Sequence, residues 1–336
     1  MKSLKTIYAS VHPNSPESDI IRKGAEILKN GGLVAFPTET VYGLGANALD
    51  TLAVARVYQV KGRPSDNPLI WHANSLDEFN NIVGFSSDTH LAAQRLANAF
   101  WPGPLTLILP SSNKAVRSIA VRVPAHPVTR ALIEASGCII AAPSANLSGR
   151  PSPTKAKHVA SDLDGAIEMI IDGGPTQNGL ESTVIDLYSK GIPKLLRPGS
   201  ITLEMLQSVL GEIECPKLIG SGLETENLEA PLSPGMKYRH YAPKAPLILI
   251  IGDYEARCEA IHIKAEAYKA DGKTVGLLTS SPQEPLENIA KNLFDKLREF
   301  DDMEVSVILA EGVKEEGIGT AIMNRLRKAA AEVIYV

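Results

Sequence analysis

Apolar and polar positions alternate along this chain with two periods, and their interleaving predicts a mixed fold of helices and strands. Over residues 17–30, Ile20, Ile21, Ala25, Ile27 and Leu28 recur at helical spacing, and Gly31-Gly32 ends the helix. An apolar run at 33–36 reads as a strand, a Thr- and Gly-rich stretch at 37–45 as a loop, and 48–60 as a second helix. Further apolar runs at 69–72, 105–109, 119–123, 138–142, 169–171, 183–187 and 194–197 are bounded by Pro, Gly, Asn or Ser and have the length of strands. Helical stretches at 89–99, 127–135, 155–162 and 203–210 lie between them. Residues 1–211 therefore predict one large mixed α/β domain.

The pattern is lost over 212–245, which carries prolines, glycines and acidic residues without a period and reads as an extended linker. Its end is unlike a passive tether: Lys237, Tyr238, Arg239, His240 and Tyr241 stand close together. From 246 the pattern is regular again, with strands at 247–251, 274–279 and 305–310 and helices at 255–270, 285–300 and 319–331. This alternation predicts a small parallel sheet of Rossmann-like topology, 246–336. No G-x-G-x-x-G follows its first strand, so no dinucleotide site is expected there.

Length and composition narrow the functions. At 336 residues two domains are the natural expectation, and 44% hydrophobic residues supply a full core. The formal net charge of −4 argues against bulk affinity for nucleic acid, while a small phosphate ligand needs only a few placed cations. Cys138, Cys215 and Cys258 are scattered and form no CxxC pair, so neither a disulfide framework nor a zinc site is expected. The first fifteen residues lack the apolar core of a signal peptide and no stretch is long enough to span a bilayer, so a cytoplasmic protein is expected.

Four clusters carry candidate chemistry. In 37–45, the hydroxyls of Thr38, Thr40 and Tyr42 follow a strand, where α/β domains place ligands, and Gly43 and Gly45 allow close backbone approach; a self-satisfied polar turn is the competing reading. In 61–67, Lys61 and Arg63 could clamp phosphates or simply cap a helix C-terminus, Asn67 could read a base or ribose edge, and His72 could touch a substrate carboxylate. In 118–124, Ile119, Val121 and Val123 share one strand face, which leaves Arg122 with Ala120 on the other, facing either water or an anion; an anion fits better. The small and hydroxyl-bearing residues of 141–149, with Ser152, 179–183 and 197–199, suit a nucleotide. There is no G-x-x-x-x-G-K-[ST] loop and no G-x-S-x-G elbow.

In order along residues 10–210 stand PTETVYGLG (37–45), KGRPSDNP (61–68), WPGPLT (101–106), AVRVP (120–124), APSANLSG (142–149), ESTVID (181–186) and LRPG (196–199). This ordered set resembles the YrdC-like family of threonylcarbamoyl-AMP synthases. SPGMKYRHYAP (233–243) and the regular tail resemble its longer, two-domain branch. The resemblance implies a twisted mixed-sheet catalytic domain, and a reaction in which ATP, L-threonine and bicarbonate or CO2 give threonylcarbamoyl-AMP and pyrophosphate. It implies Mg2+ carried by ATP, no protein metal site, and downstream proteins that transfer the product to tRNA, with tRNA met only indirectly or weakly. Matched motif by motif, it assigns L-threonine contacts to Thr40, His72, Arg122, Ala142 and Ser182. It assigns ATP contacts to Arg63, Asn67, Ser118, Ser144, Ser152, Arg197 and Tyr241, with Lys61 and Arg63 at the phosphates as the catalytic pair and Tyr241 on a flap. Two alternatives stand beside it. One is an RNA-binding module that uses Lys61, Arg63, Arg122, Arg197 and the linker basics, and the other a carbamoyltransferase-type maturation factor.

Overall fold

The computed structural model describes residues 4–113, 115–189, 191–215 and 240–336. Ten strands form one mixed sheet: β1 (Ile7–Ser10), β2 (Val34–Phe36), β3 (Gly43–Asn47), β4 (Ile70–His72), β5 (Leu105–Pro110), β6 (Ser118–Arg122), β7 (Ile140–Ala141), β8 (Met169–Asp172), β9 (Thr183–Asp186) and β10 (Lys194–Arg197). Their order is β1-β8-β2-β3-β7-β4-β6-β5-β9-β10. Helices α1 (Ser18–Lys29), α2 (Thr51–Lys61), α3 (Ser87–Phe100), α4 (Pro127–Ser136), α5 (Ala156–Leu163) and α6 (Leu203–Leu210) cover it. The strand alternation holds in β6: Ile119 and Val121 pack with Leu105, Leu107 and Leu109 of β5, whereas Ala120 packs with Ile70, Ile108 and Val184. Arg122 thus emerges on the Ala120 face.

Three local features depart from the pattern. The 37–45 stretch is a loop only as far as residue 42, because Gly43 begins β3, antiparallel to β2. A Cβ on Gly45 would stand 2.5 Å from Phe36 Cε1 and 2.8 Å from Ile140 Cγ2, so this glycine makes room for core side chains rather than for a ligand. Helix α2 starts at Thr51 rather than 48, because the Asp50 side chain accepts from the backbone N–H groups of Leu52 and Ala53. Strand β1 escaped the pattern altogether; its four residues pair with β8 alone at the sheet edge.

The second sheet is wholly parallel, ordered β12 (Val275–Leu278), β13 (Val307–Glu311), β11 (Leu247–Ile251), β14 (Glu332–Tyr335). Helices α7 (Tyr254–Ala270), α8 (Leu286–Asp302) and α9 (Ile318–Ala329) make the crossovers. The last helix ends at Ala329, short of the expected 331, and a fourth strand that the pattern did not show follows at 332. Most of the expected linker, 216–239, lies outside the described residues.

Helices α8 and α9 press against the loops of the first sheet. One apolar cluster contains Val41 and Leu180 from those loops, Tyr241, and Leu293, Phe294, Leu297 and Ile322 from the two helices. Two buried ion pairs, Arg298 with Asp162 at 2.8 Å and Arg325 with Glu181 at 2.9 Å, and a partly exposed one, Lys155 with Asp295 at 2.7 Å, fix the contact. The second sheet therefore roofs the point where the loops after β2, β7 and β8 converge.

Candidate active site

A small cavity of about 60 Å3 lies under that roof. It brings together Thr40, Lys61, Arg63, His72, Arg122, Ala142, Ser144, Ser152, Ser182, Arg197 and Tyr241 from stretches far apart in sequence. Two expected residues are not at its wall. Asn67 is buried behind Arg63, its main-chain oxygen accepting from Arg63 Nε at 3.0 Å, and Ser118 sits at the far end of β6 opposite Pro110. A cavity of this size holds a few waters, against about 300–1,000 Å3 for a ligand pocket. Tyr241 and His240 complete its wall.

Arg122 is held on three sides. Its Nε donates to the Gly103 carbonyl at 3.2 Å, Nη1 to Thr40 Oγ1 at 3.0 Å and Nη2 to Glu39 Oε1 at 2.7 Å. A guanidinium has five N–H donors, so one remains on each terminal nitrogen, the fork that a carboxylate accepts. Thr40 is committed to this support. Thr38 Oγ1 donates to the Val41 carbonyl, so the Thr40 hydroxyl gives its proton to Thr38 and its lone pair to Arg122. The anion that Arg122 meets within the chain is Glu39.

His72 is neutral. Burial, then Arg122, lowers its pKa to about 3. Its Nδ1 lies 3.1 Å from the Ile70 carbonyl and 3.3 Å from that of Ile140; both only accept, so Nδ1 carries the proton and Nε2 a lone pair. Such a ring meets a hydroxyl or an amine, not the carboxylate expected from sequence.

The opposite wall is cationic. Lys61 closes α2 but turns from its own helix end and donates Nζ to the carbonyls of Ser144, at 2.6 Å, and Asn146. One of its three N–H groups is left over. Burial, then Arg63, pushes its pKa well down. Arg63 spends Nε and one Nη2 proton on the carbonyls of Asn67 and Pro68, and burial lowers it to about 10, still protonated at neutral pH. Arg197 donates to the Ser182 carbonyl and hydroxyl at 3.0 and 3.1 Å, and that hydroxyl also meets Thr106 at 2.7 Å.

Glu181 at the wall and Arg325 behind it were not singled out by sequence. Glu181 accepts from Ser152 Oγ and from Arg325 Nε; burial alone would raise its pKa, but Arg325 and Arg197 outweigh this and hold it below its ordinary value. Arg325 comes from the second sheet's α9 and is wholly buried. The one signal for it was a charge set among Ala321, Ile322, Leu326 and Ala329 on the apolar face of a helix. His240 presents a buried Nε2 without a partner among the described residues, and burial, then Arg63, lowers it to about 3. Tyr241 stacks on Phe294 at 5.2 Å and holds a φ of 67°, unusual for a residue with a side chain.

These cations are interior: Lys61 is 2% exposed, Arg63 9%, Arg122 3% and Arg197 5%. They cannot line up along an RNA backbone at the surface, which counts against the RNA-binding alternative as far as it relied on them; its linker basics lie outside the described residues. Among the described residues there is no group of three or more His, Cys, Asp or Glu placed to hold a metal, and no helix long and apolar enough to cross a membrane.

Known proteins share this architecture. The Sua5/YciO/YrdC family model, described as telomere recombination, matches residues 26–199, and the model of the threonylcarbamoyl-AMP synthase C-terminal domain matches 201–331. The chain is 49% identical over 327 residues to the threonylcarbamoyl-AMP synthase of Pyrococcus abyssi, covering 92% of this chain and 94% of that one. It is 47% identical over 340 residues to that of Bacillus subtilis, covering 94% of each. The crystal structure of P. abyssi Sua5 complexed with L-threonine superposes with a TM-score of 0.92 at 46% identity, over 98% of this chain and all of that one.

Proposed function

The chain belongs to the Sua5/YrdC family of threonylcarbamoyl-AMP synthases, and from that premise we propose that its cavity converts ATP, L-threonine and bicarbonate or CO2 into threonylcarbamoyl-AMP and pyrophosphate. The observation that carries the reading is the anchored Arg122 fork, with the neutral His72 beside it and the cationic wall of Lys61, Arg63 and Arg197 in the same cavity.

In this reading Arg122 takes the threonine carboxylate, and His72 Nε2 accepts from its hydroxyl or amine. Ala142 and Ser182 shape that end of the cavity. The threonine amine, once deprotonated, adds to CO2, and a carbamate forms as a proton leaves. No enzymatic nucleophile is required, which agrees with a wall of cations and hydroxyls. A carbamate oxygen then attacks the ATP α-phosphorus as the bond to pyrophosphate breaks, so the enzyme acts as a nucleotidyltransferase. Such a step depends on positioning and on stabilising phosphate charge. Lys61 has one N–H to offer and Arg63 three, with Arg197, Ser144 and Ser152 alongside. Glu181 is already engaged by Arg325 and Ser152, so the donor set suits Mg2+ that arrives on the triphosphate rather than a resident ion. Bound with ATP, Mg2+ would offset phosphate charge.

Tyr241 and His240 would then close over the nucleotide and keep water from a mixed anhydride that hydrolyses easily. The product would pass to proteins that transfer the threonylcarbamoyl group to tRNA, with no direct tRNA contact at this buried site. The test is pyrophosphate release from ATP and bicarbonate with each amino acid in turn. Release that requires both L-threonine and bicarbonate is expected. Release independent of the amino acid, or none from folded protein with Mg2+, overturns the reading.

A further inference from the structure

Glu39 does not line the cavity, although Thr38, Thr40 and Val41 around it do. It approaches the Arg122 guanidinium from behind, with Oε1 2.7 Å from Nη2 and both side chains at most 5% exposed. Its second oxygen, Oε2, is buried and has no partner among the described residues. The main-chain carbonyl of Glu39 accepts from Asn178 N at 2.8 Å, which fixes its backbone independently of the carboxylate. An isolated carboxylate is costly in such a place, and Oε1 alone would suffice to orient the arginine; a neutral amide could do the same. The negative charge is thus more than orientation demands.

The cavity explains what that charge can do. Four cations line it, Lys61, Arg63, Arg122 and Arg197, against the carboxylate of Glu181. A triphosphate entering this chamber could in principle take any of the four. The Arg197 corner is where Glu181 and Ser182 meet the wall, and Arg122 alone is paired with Glu39. We propose that Glu39 is the specificity-determining counter-charge of Arg122: it offsets the guanidinium so that this corner accepts the single carboxylate of an amino acid through the geometry of the fork and refuses phosphate. The rest of the cationic wall is thereby left to the nucleotide. This inference rests on the assignment of Arg122 to the threonine carboxylate.

The experiment is calorimetric titration of the full-length chain with L-threonine, with and without inorganic pyrophosphate. Glu39→Gln keeps an oxygen for Arg122 Nη2 and, because Oε2 has no hydrogen bond, removes none. In that variant L-threonine is expected to bind at least about threefold more tightly, and added pyrophosphate is expected to weaken it. In the parent chain pyrophosphate is expected to leave threonine affinity unchanged within twofold. Unchanged or weaker threonine binding in Glu39→Gln, with pyrophosphate still without effect, overturns the proposal. Glu39→Asp provides a second arm whether or not the amide variant folds. It keeps the charge and is expected to remain indifferent to pyrophosphate; competition by pyrophosphate in Glu39→Asp also overturns the proposal. Arg122→Ala separates the two levels of inference. If it binds threonine like the parent, the Arg122 assignment fails and this inference with it. If it loses threonine while Glu39→Gln shows neither change, the Glu39 inference alone fails.

Discussion

Arg325→Ala is the perturbation that reads the coupling between the two sheets most clearly. The guanidinium is wholly buried, donates Nε to Glu181 Oε2 at 2.9 Å and Nη1 to the Pro198 carbonyl at 2.8 Å, and lies 5.6 Å from the centre of the Tyr241 ring. Truncation leaves Glu181 buried with its closest counter-ion gone and the Pro198 carbonyl without this donor. Removing one partner of a buried pair costs about 3–5 kcal/mol. The same loss releases Glu181, and with it Ser152, at the side of the cavity proposed for the nucleotide. Arg122 keeps Gly103, Thr40 and Glu39 as anchors. We therefore expect folding stability in urea to fall by about 3–5 kcal/mol, and the KM for ATP to rise about tenfold or more with the KM for threonine within threefold. Steady-state pyrophosphate release at saturating co-substrate gives both constants. A stability change under about 1 kcal/mol, or equal losses for both substrates, would refute the reasoning. Glu181→Gln combined with Arg325→Met is expected to recover much of the stability, because no uncompensated charge is left, but not the ATP affinity.

Other consequences follow from individual contacts. Arg122→Lys keeps the charge beside Glu39 but cannot fork, so the KM for L-threonine should rise about 10–100-fold while ATP affinity, measured by calorimetry, stays within threefold. Acid should destabilise the fold in a defined window. His72 and His240 have folded pKa values of about 3 against an ordinary 6.5, so the unfolded chain binds more protons between those values. Stability is then complete above pH 6.5 and is lost towards pH 3, at about 1.4 kcal/mol per pH unit for each ring fully engaged. Urea midpoints measured across that range check the slope, and a flat profile contradicts it. Gly45→Ala forces a methyl against Phe36 and Ile140 and should cost about 1–3 kcal/mol, seen as a lowered urea midpoint with little change in either KM.

Much of the architecture was legible because its elements have strong local periods and clear stops. The strands at 194–197 and 247–251 and the helix at 203–210 coincide with their apolar runs. The weak points are elements whose period is hidden. Strand β3 reads as a turn because its glycines answer to Phe36 on the adjacent strand β2, a cross-strand contact that the run of residue types does not show. Strand β1 is too short, at four residues with alternate ones exposed, to stand out before β8 supplies its partner.

The cavity was legible where a side chain was out of place locally. Arg122 is a charge between Val121 and Val123, and its buried position needed an anion. The identity of that anion was not legible: Glu39 lies eighty-three residues away, and only the folded sheet sets the two at 2.7 Å. Asn67 belongs to a matching motif and Ser118 stands just before one, but neither lines the cavity: Asn67 supports Arg63 from behind, and Ser118 sits at the far end of β6. The His72 ring was placed by sequence, but its protonation and donor pattern depend on the Ile70 and Ile140 carbonyls.

The central claim is that one cavity joins threonine, a bicarbonate-derived carbon and AMP. The most direct test incubates the full chain with ATP, Mg2+, 13C-labelled bicarbonate and 15N-labelled L-threonine and identifies the adenylate by mass spectrometry in a rapid quench. The account predicts an AMP adduct that carries both labels and appears at the rate of pyrophosphate release. An adenylate with the nitrogen label but not the carbon label would mean direct activation of the amino acid, and would contradict it.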